Sequence, residues 1–160
     1  MNNSATIEKM NQMKLYGMVR AFRTTFETRV SKRFTADELV AHLVDAEWDD
    51  RHNRRLNRLI KAARFRYQSS FEQLDFNLKR ALDKNMMLRF SDSGWIEKHY
   101  NIIVTGPTGI GKSFIASAFG NTACMHGFKT RYFNCAKLFE LLKMAKAQGT
   151  YIKEIKRIEK

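Results

Sequence analysis

Proline and cysteine are almost absent from this 160-residue chain. The single proline is Pro107, so the rest of the sequence is free of the residue that most strongly breaks helices. The two cysteines, Cys124 and Cys135, have neither metal-ligand spacing nor a neighbouring His/Cys cluster, which argues against zinc and favours free buried thiols. No apolar run reaches the length of a membrane span or resembles a signal peptide. We therefore expect a cytoplasmic protein with no membrane segment.

Acidic residues are also scarce, and this leaves a strong positive charge. The chain has 29 Lys and Arg against 16 Asp and Glu, for a formal net charge of +13. This surplus favours a polyanionic partner, most simply DNA or RNA, because cationic side chains displace the counterions condensed on phosphates. Charge alone does not separate a specific contact from a non-specific one. The length suits one ordinary domain or two small ones.

The glycine-rich run at 106–113 is the most informative motif that is present. It matches the phosphate-binding loop pattern G-x-x-x-x-G-K-[ST] at every fixed position. The apolar run Ile102–Val104 before it predicts a buried strand, and residues 114–119 after it can open a helix. Glycines let backbone N–H groups surround phosphate oxygens, a lysine reaches the β- and γ-phosphates, and a serine hydroxyl binds Mg²⁺. The motif thus predicts ATP and Mg²⁺ as ligands, with Ser113 on the metal and with nucleotide contacts from Gly106, Pro107, Thr108, Gly109, Ile110, Gly111, Lys112 and Ser113.

A long amphipathic helix with a basic side is predicted upstream of the loop. Thr35 and Glu38 form a capping-box pattern, which predicts a helix that begins near Ala36 and continues through the fifties. The candidate nucleic-acid contacts are its crowded cations, Arg51, Arg54, Arg55, Arg58, Lys61 and Arg64. Three interpretations stay open: a solvated face, pairing with upstream carboxylates such as Glu47 and Asp50, and contact with DNA phosphates, which the guanidinium fork suits.

The remaining patterns predict an α/β protein. Residues 6–30 have helical periodicity with Gly17 as a weak point, and the helix after the loop should stop at Gly127. Residues 129–133 form a second candidate strand, followed by helices from about Ala136 and after Thr150. The order strand, helix, strand, helix predicts a parallel sheet with right-handed crossovers. We expect a helical N-terminal domain at 1–68, a connector at 69–98, and the N-terminal part of a phosphate-loop domain at 99–160.

A phosphate-loop ATPase also needs an acidic site at the end of a second buried strand. Beyond Lys112 the carboxylates are Glu140, Glu154 and Glu159, and all lie on polar stretches with a helical pattern. The hydrolytic half of the site is therefore not identifiable, and we expect weak or no ATP turnover by this chain alone.

Several blocks together resemble the IstB-like ATP-binding family, the helper ATPases encoded beside the transposases of bacterial insertion sequences. The blocks are Leu15–Met18, Asp45–Trp48, Asn53–Arg55, Lys61–Phe65, Phe71–Phe76 and the phosphate loop. The resemblance implies a helical domain that contacts DNA or transposase, followed by an ATP-binding domain of the AAA+ type. It also implies homo-oligomers on DNA with ATP between subunits, and a chain that stops before the acidic Walker B strand of the family.

Two other functions also agree with part of this sequence pattern. The first is a DnaC-like helicase loader, because the core motifs are common to both groups; the block at 45–65 favours the transposition helper. The second is a non-enzymatic module, in which residues 6–67 bind DNA or a partner beside a vestigial ATPase half.

Overall fold

The computed structural model describes residues 3–28, 34–76 and 82–159. The chain divides into two compact units, Met1–Lys61 and Ala62–Lys160. The domain division expected from the sequence stays a prediction. No helix of the described ranges is both long and apolar enough to cross a membrane. The helices are α1 (Asn3–Gln12), α2 (Tyr16–Glu27), α3 (Ala36–Ala63), α4 (Lys84–Phe90), α5 (Gly94–Glu97), α6 (Lys112–Met125), α7 (Cys135–Ala147) and α8 (Tyr151–Glu159), with a 3₁₀ turn at Phe71–Gln73.

The first unit contains a helix break and a close helix contact. The break between α1 and α2 lies at residues 13–15, where Lys14 adopts a left-handed conformation with φ 59°. The predicted interruption therefore occurs, although just before Gly17. Gly17 instead allows α2 to approach α3, since a Cβ there would lie 2.3 Å from the Ala46 carbonyl oxygen.

The start of α3 follows the predicted capping box. The Thr35 N–H donates to Glu38 Oε2 at 2.8 Å, and the Glu38 N–H donates to Thr35 Oγ1 at 3.3 Å. These two bonds satisfy backbone donors that the first turn of a helix leaves without partners.

An aromatic core around α6 organises the second unit. Its buried members are Phe71, Leu74, Met87, Ile115 and Phe119. The Phe71 and Phe119 rings meet edge to face at 88°, with centroids 5.0 Å apart. The segment after α3 is tied to the same helix, because Ser69 Oγ donates to the Phe114 carbonyl at 2.9 Å and Asn121 Nδ2 donates to the Ser69 carbonyl at 3.1 Å.

The predicted stop of α6 is confirmed. The Gly127 N–H donates to Cys124 O and the Phe128 N–H donates to Ala123 O, both at 2.9 Å, with Gly127 at φ 87°. This pair of bonds with a left-handed glycine is the Schellman C-cap. Gly149 ends α7 in the same way, through Gly149 N–H to Lys146 O and Thr150 N–H to Ala145 O.

The predicted parallel sheet is wrong for this structure. Neither Ile102–Val104 nor 129–133 forms a strand, and the described parts of the chain contain helices, turns and irregular segments alone. A strand needs an adjacent strand to satisfy its N–H and C=O groups, and these two segments do not pair with each other. The Tyr132 N–H instead donates to Ala63 O at 2.9 Å, and Ile103 is 84% exposed, where a buried strand was expected.

Candidate nucleotide-binding site and basic helix face

The backbone of the phosphate-loop motif requires its glycines. Gly106, Gly109 and Gly111 have φ of 146°, 89° and 94°, a region that residues with a Cβ rarely adopt. At Gly106 a Cβ would also lie 2.5 Å from Ile110 Cδ1. The fixed glycines of the motif are therefore explained by local geometry before any ligand is considered.

Lys112 and Ser113 stand at the junction of the loop and α6. Lys112 is the first residue of α6, and its Nζ donates to the Gly106 carbonyl at 2.8 Å and to the Pro107 carbonyl at 2.5 Å. The ammonium group is thus held against the loop itself. Ser113 is half-buried in the first turn of α6.

The residues present fit the phosphate groups of a nucleotide. Residues 106–110 are exposed, and a Cβ on Gly109 would meet no atom within 4 Å outside its own residue and its two neighbours in the chain. The 14-residue helix α6 begins at this point, and a helix N-terminus offers free N–H donors and partial positive charge. The described residues contain no cluster of three or more His, Cys, Asp or Glu that could hold a metal ion. Within the loop, Ser113 has a hydroxyl of the kind that can bind Mg²⁺ beside phosphates.

The side chains that fix α6 were not predicted from the sequence. A Cβ on Gly120 would lie 2.4 Å from Cε1 of Phe65, so the missing side chain makes room for this ring. His126 Nδ1 lies 2.9 Å from Ser93 Oγ, which is buried. Burial raises the pKa of the Cys124 thiol, and hydrogen bonding with Thr130 opposes this effect. Cys135 is exposed, so the expectation of two buried thiols is wrong for this residue.

A separate cleft of about 240 Å³ lies elsewhere in the second unit. Residues 131–134, α7 and α8 line it together with residues 62–64, and no residue of the loop 106–113 does. Arg64, which has φ 54° just beyond α3, lies here with Arg131 and Arg157. The cleft therefore contains one of the six candidate nucleic-acid contacts but does not belong to the candidate nucleotide site.

A buried carboxylate joins α3 to the start of α2. Glu47 is 6% exposed and accepts hydrogen bonds from the Gly17 N–H at 2.8 Å and the Met18 N–H at 3.3 Å. Arg51 Nε donates to the same carboxylate at 2.6 Å. Burial by itself raises the pKa of Glu47, but the bonds from Arg51, Met18 and Gly17 together hold it below its usual value. Glu47 therefore caps α2 from another helix.

Asp50 extends this network by one turn. It pairs with Arg20 of α2, and Arg54 Nε lies 2.6 Å from its Oδ2. The hydrogen bond from Arg20 holds the pKa of Asp50 below its usual value, against the effect of burial, and the charges of Arg20 and Arg54 lower it further. The Arg54 guanidinium also lies 5.2 Å from the centroid of the Tyr16 ring.

The six candidate contacts are thus not equivalent. Arg51 and Arg54 take part in carboxylate pairs, as the second of the three interpretations expected. Arg55, Arg58 and Lys61 are exposed and have no carboxylate within pairing distance in the described parts of the chain. Contact of any of the six with nucleic acid stays a prediction.

Comparison with known proteins agrees with the loop and the sequence blocks. The family model described as IstB-like ATP binding protein matches residues 8–160. The protein named as ATP-binding in insertion sequence IS1162 of Pseudomonas fluorescens is 33% identical over 97% of this chain and 68% of its own length. An insertion-sequence ATP-binding protein of Sinorhizobium fredii is 32% identical over 91% of this chain and 60% of its own length.

The phosphate-loop motif at the start of a helix and these relatives indicate the same class, the proteins that are named as ATP-binding in insertion sequences. The chain belongs to the IstB-like ATP-binding protein family. It spans about 60–68% of the length of the two relatives named above.

Proposed function

We propose that this chain is an ATP-binding helper of DNA transposition. It binds ATP with Mg²⁺ through residues 106–113, and it contacts DNA through the exposed cations of α3. The observation that carries the proposal is the loop geometry, with three glycines at positive φ and the Lys112 ammonium held between the loop carbonyls at the N-terminus of α6.

The role of each loop residue follows from its position. Lys112 Nζ, which donates to the Gly106 and Pro107 carbonyls, would bind the β- and γ-phosphates of the nucleotide and neutralise part of their charge. Ser113 supplies a hydroxyl ligand to Mg²⁺. The glycines accept the nucleotide without side-chain obstruction.

Titration with a fluorescent ATP analogue and Mg²⁺ tests the nucleotide site. Saturable binding is expected for the wild-type chain and for Lys143→Ala, a matched exposed lysine on α7. The affinity of Lys112→Ala for the analogue should be lower by at least about 10-fold, which corresponds to about 1.4 kcal/mol of binding free energy. Tripolyphosphate should displace the analogue, and adenosine should do so poorly. Equal binding by wild type and Lys112→Ala would contradict the proposal.

The DNA contact is tested by comparing two sets of basic residues on α3, those with no carboxylate partner among the described residues and those that pair with Glu47 or Asp50. Combined replacement of Arg55, Arg58 and Lys61 with Ala should weaken binding to a DNA duplex. It should also reduce the slope of log K against log salt by about 3, since each phosphate contact contributes about 0.9. Arg51→Ala with Arg54→Ala should chiefly destabilise the α2–α3 contact. Unchanged affinity and salt slope in the triple variant would reject contact through this face.

The effect of ATP on DNA binding separates the proposed function from the non-enzymatic module. A transposition helper that uses ATP should change its DNA affinity when Mg-ATP is added at fixed salt, and Lys112→Ala should abolish that change. We also propose the transposase encoded beside such proteins as the protein partner. A pull-down that captured a replicative helicase and not this transposase would favour the helicase-loader alternative.

A further inference from the structure

A buried hydroxyl from outside α6 is bound to the first turn of that helix. Ser69 is 3% exposed, and its Oγ donates to the Phe114 carbonyl at 2.9 Å. Phe114 is the third residue of α6, directly after Lys112 and Ser113. Its side chain packs against the aromatic core, and the centroid of its ring lies 6.0 Å from that of the Tyr67 ring. The first turn of α6 is therefore tied to the segment that follows α3.

Ser69 is also bound to α6 at a second point. Asn121 is half-buried, and its Nδ2 donates to the Ser69 carbonyl at 3.1 Å. Phe114 and Asn121 are seven residues apart, so at about 100° per residue they lie on nearly the same side of α6, two turns apart. Side chains of a helix lean towards its N-terminus, which brings the Asn121 amide back towards Phe114. Ser69 thus bonds to one face of α6 at two points.

The neighbours of Ser69 in the chain restrict it further. Phe65 occupies the space that the missing side chain of Gly120 leaves free, and the ring of Phe71 packs edge to face on that of Phe119. Residues on both sides of Ser69 therefore pack against α6. A serine that is fixed in this way can hold the helix carbonyl that it binds, whereas a mobile serine would move with it.

We propose that Ser69 is a positioning residue for the candidate nucleotide site. Its hydroxyl fixes the Phe114 carbonyl, and the helix backbone carries this restraint to Lys112 and Ser113 in the same turn. Groups of a binding site need to be held within about 0.5 Å of their working positions, so this restraint matters for affinity. The inference rests on the proposed binding of ATP and Mg²⁺ by residues 106–113.

Titration of Ser69→Ala with the fluorescent ATP analogue and Mg²⁺ tests this role. The variant removes the bond to the Phe114 carbonyl, so its affinity for the analogue should fall by about 3–10-fold, the effect expected of one hydrogen bond. Ser91→Ala is the matched control, because Ser91 Oγ donates to the Leu88 carbonyl at 2.7 Å in the same unit, at the end of α4. Its affinity should equal that of the wild type.

Two further measurements separate positioning from general stabilisation. Ser69→Thr and Ser69→Val introduce side chains of the same shape that differ in the hydroxyl, so Ser69→Thr should bind the analogue more tightly. In the nucleotide-free chain, Ser69→Ala should speed hydrogen exchange of the amides at 115–118. It should leave the amides at 123–125, near the C-cap of α6, unchanged.

The outcomes distinguish this inference from the proposed function. If the wild type binds the analogue and Ser69→Ala binds it equally well, the positioning role is rejected and the nucleotide site stands. Equal affinities of Ser69→Thr and Ser69→Val would also reject the role. Faster exchange along the whole of α6 would show that Ser69 only stabilises the helix, which overturns the proposal. If the wild type does not bind the analogue, the proposed nucleotide site and this inference both fail.

Discussion

The two units of this chain are stabilised by different physical means. In the first, a buried carboxylate on α3 accepts backbone and arginine hydrogen bonds at the start of α2. In the second, aromatic rings pack edge to face around Phe119. The first arrangement depends on charge and on one helix approaching another at a glycine. The second depends on volume and apolar area. The two units should therefore respond differently to truncation, to added volume and to acid.

The largest effect is expected from Phe119→Ala. The variant removes the ring that Phe71, Phe90 and Trp95 all contact, and it should lower the free energy of unfolding of the second unit by about 3–5 kcal/mol. Hydrogen exchange resolved by segment is the measurement. Amides of α6 should lose protection while those of α2 keep theirs. Equal loss in both segments would show that the units do not unfold separately.

Glu47→Ala should act on the other unit with a smaller effect. It leaves the Gly17 N–H without its acceptor and Arg51 without its carboxylate, at a cost of about 3 kcal/mol. Protection of α2 amides should fall and that of α6 should not. Asp45→Ala is the control, since Asp45 is an exposed carboxylate on the same helix. Similar losses from both replacements would contradict the capping role of Glu47.

Added volume distinguishes the two close glycine contacts. Gly17→Ala places a Cβ 2.3 Å from a backbone oxygen, whereas Gly120→Ala meets a phenylalanine ring at 2.4 Å. A ring can rotate or shift, but helix backbone moves only with the whole helix. We expect Gly17→Ala to cost about 2–3 kcal/mol and Gly120→Ala about 1 kcal/mol. Denaturant unfolding of both variants would measure this, and the reverse order would refute the explanation.

Acid should have the smallest effect, and its sign follows from the lowered pKa of Glu47. A carboxylate whose pKa is lower in the folded state stabilises the fold above its unfolded pKa of about 4.3, and this contribution disappears as pH falls through the folded value. Glu47→Gln imitates the protonated group. The stability difference between wild type and Glu47→Gln should therefore narrow as pH falls below about 4. Asp45 is exposed, so the free energies of unfolding of the wild type and of Asp45→Asn should differ little at every pH. If the difference between the wild type and Glu47→Gln did not change with pH, the proposed contribution of the Glu47 carboxylate to stability would be contradicted.

Features of this fold that depend on local contacts could be predicted from the sequence. Three such features depend on residues within a few positions of one another. They are the capping box at Thr35 and Glu38, the end of α6 at Gly127 and the loop before α6. The prediction of a parallel sheet was wrong because a strand needs a partner strand from elsewhere in the sequence, and a local pattern does not specify that partner. The contacts of Glu47 with Gly17 and of Phe65 with Gly120 join distant segments, so neither glycine could be assigned its packing role from the sequence. Arg51 and Arg54 were recognised as cations, but only the structure separates them from Arg55 and Arg58.

The most direct test of the central claim is hydrogen exchange of the wild-type chain and of Lys112→Ala, each with and without Mg-ATP. If residues 106–113 form the nucleotide site, Mg-ATP should slow exchange at the loop and the first turn of α6 in the wild type only. The α1 and α2 amides should be unaffected. No added protection at the loop, or the same protection in Lys112→Ala, would contradict the assignment.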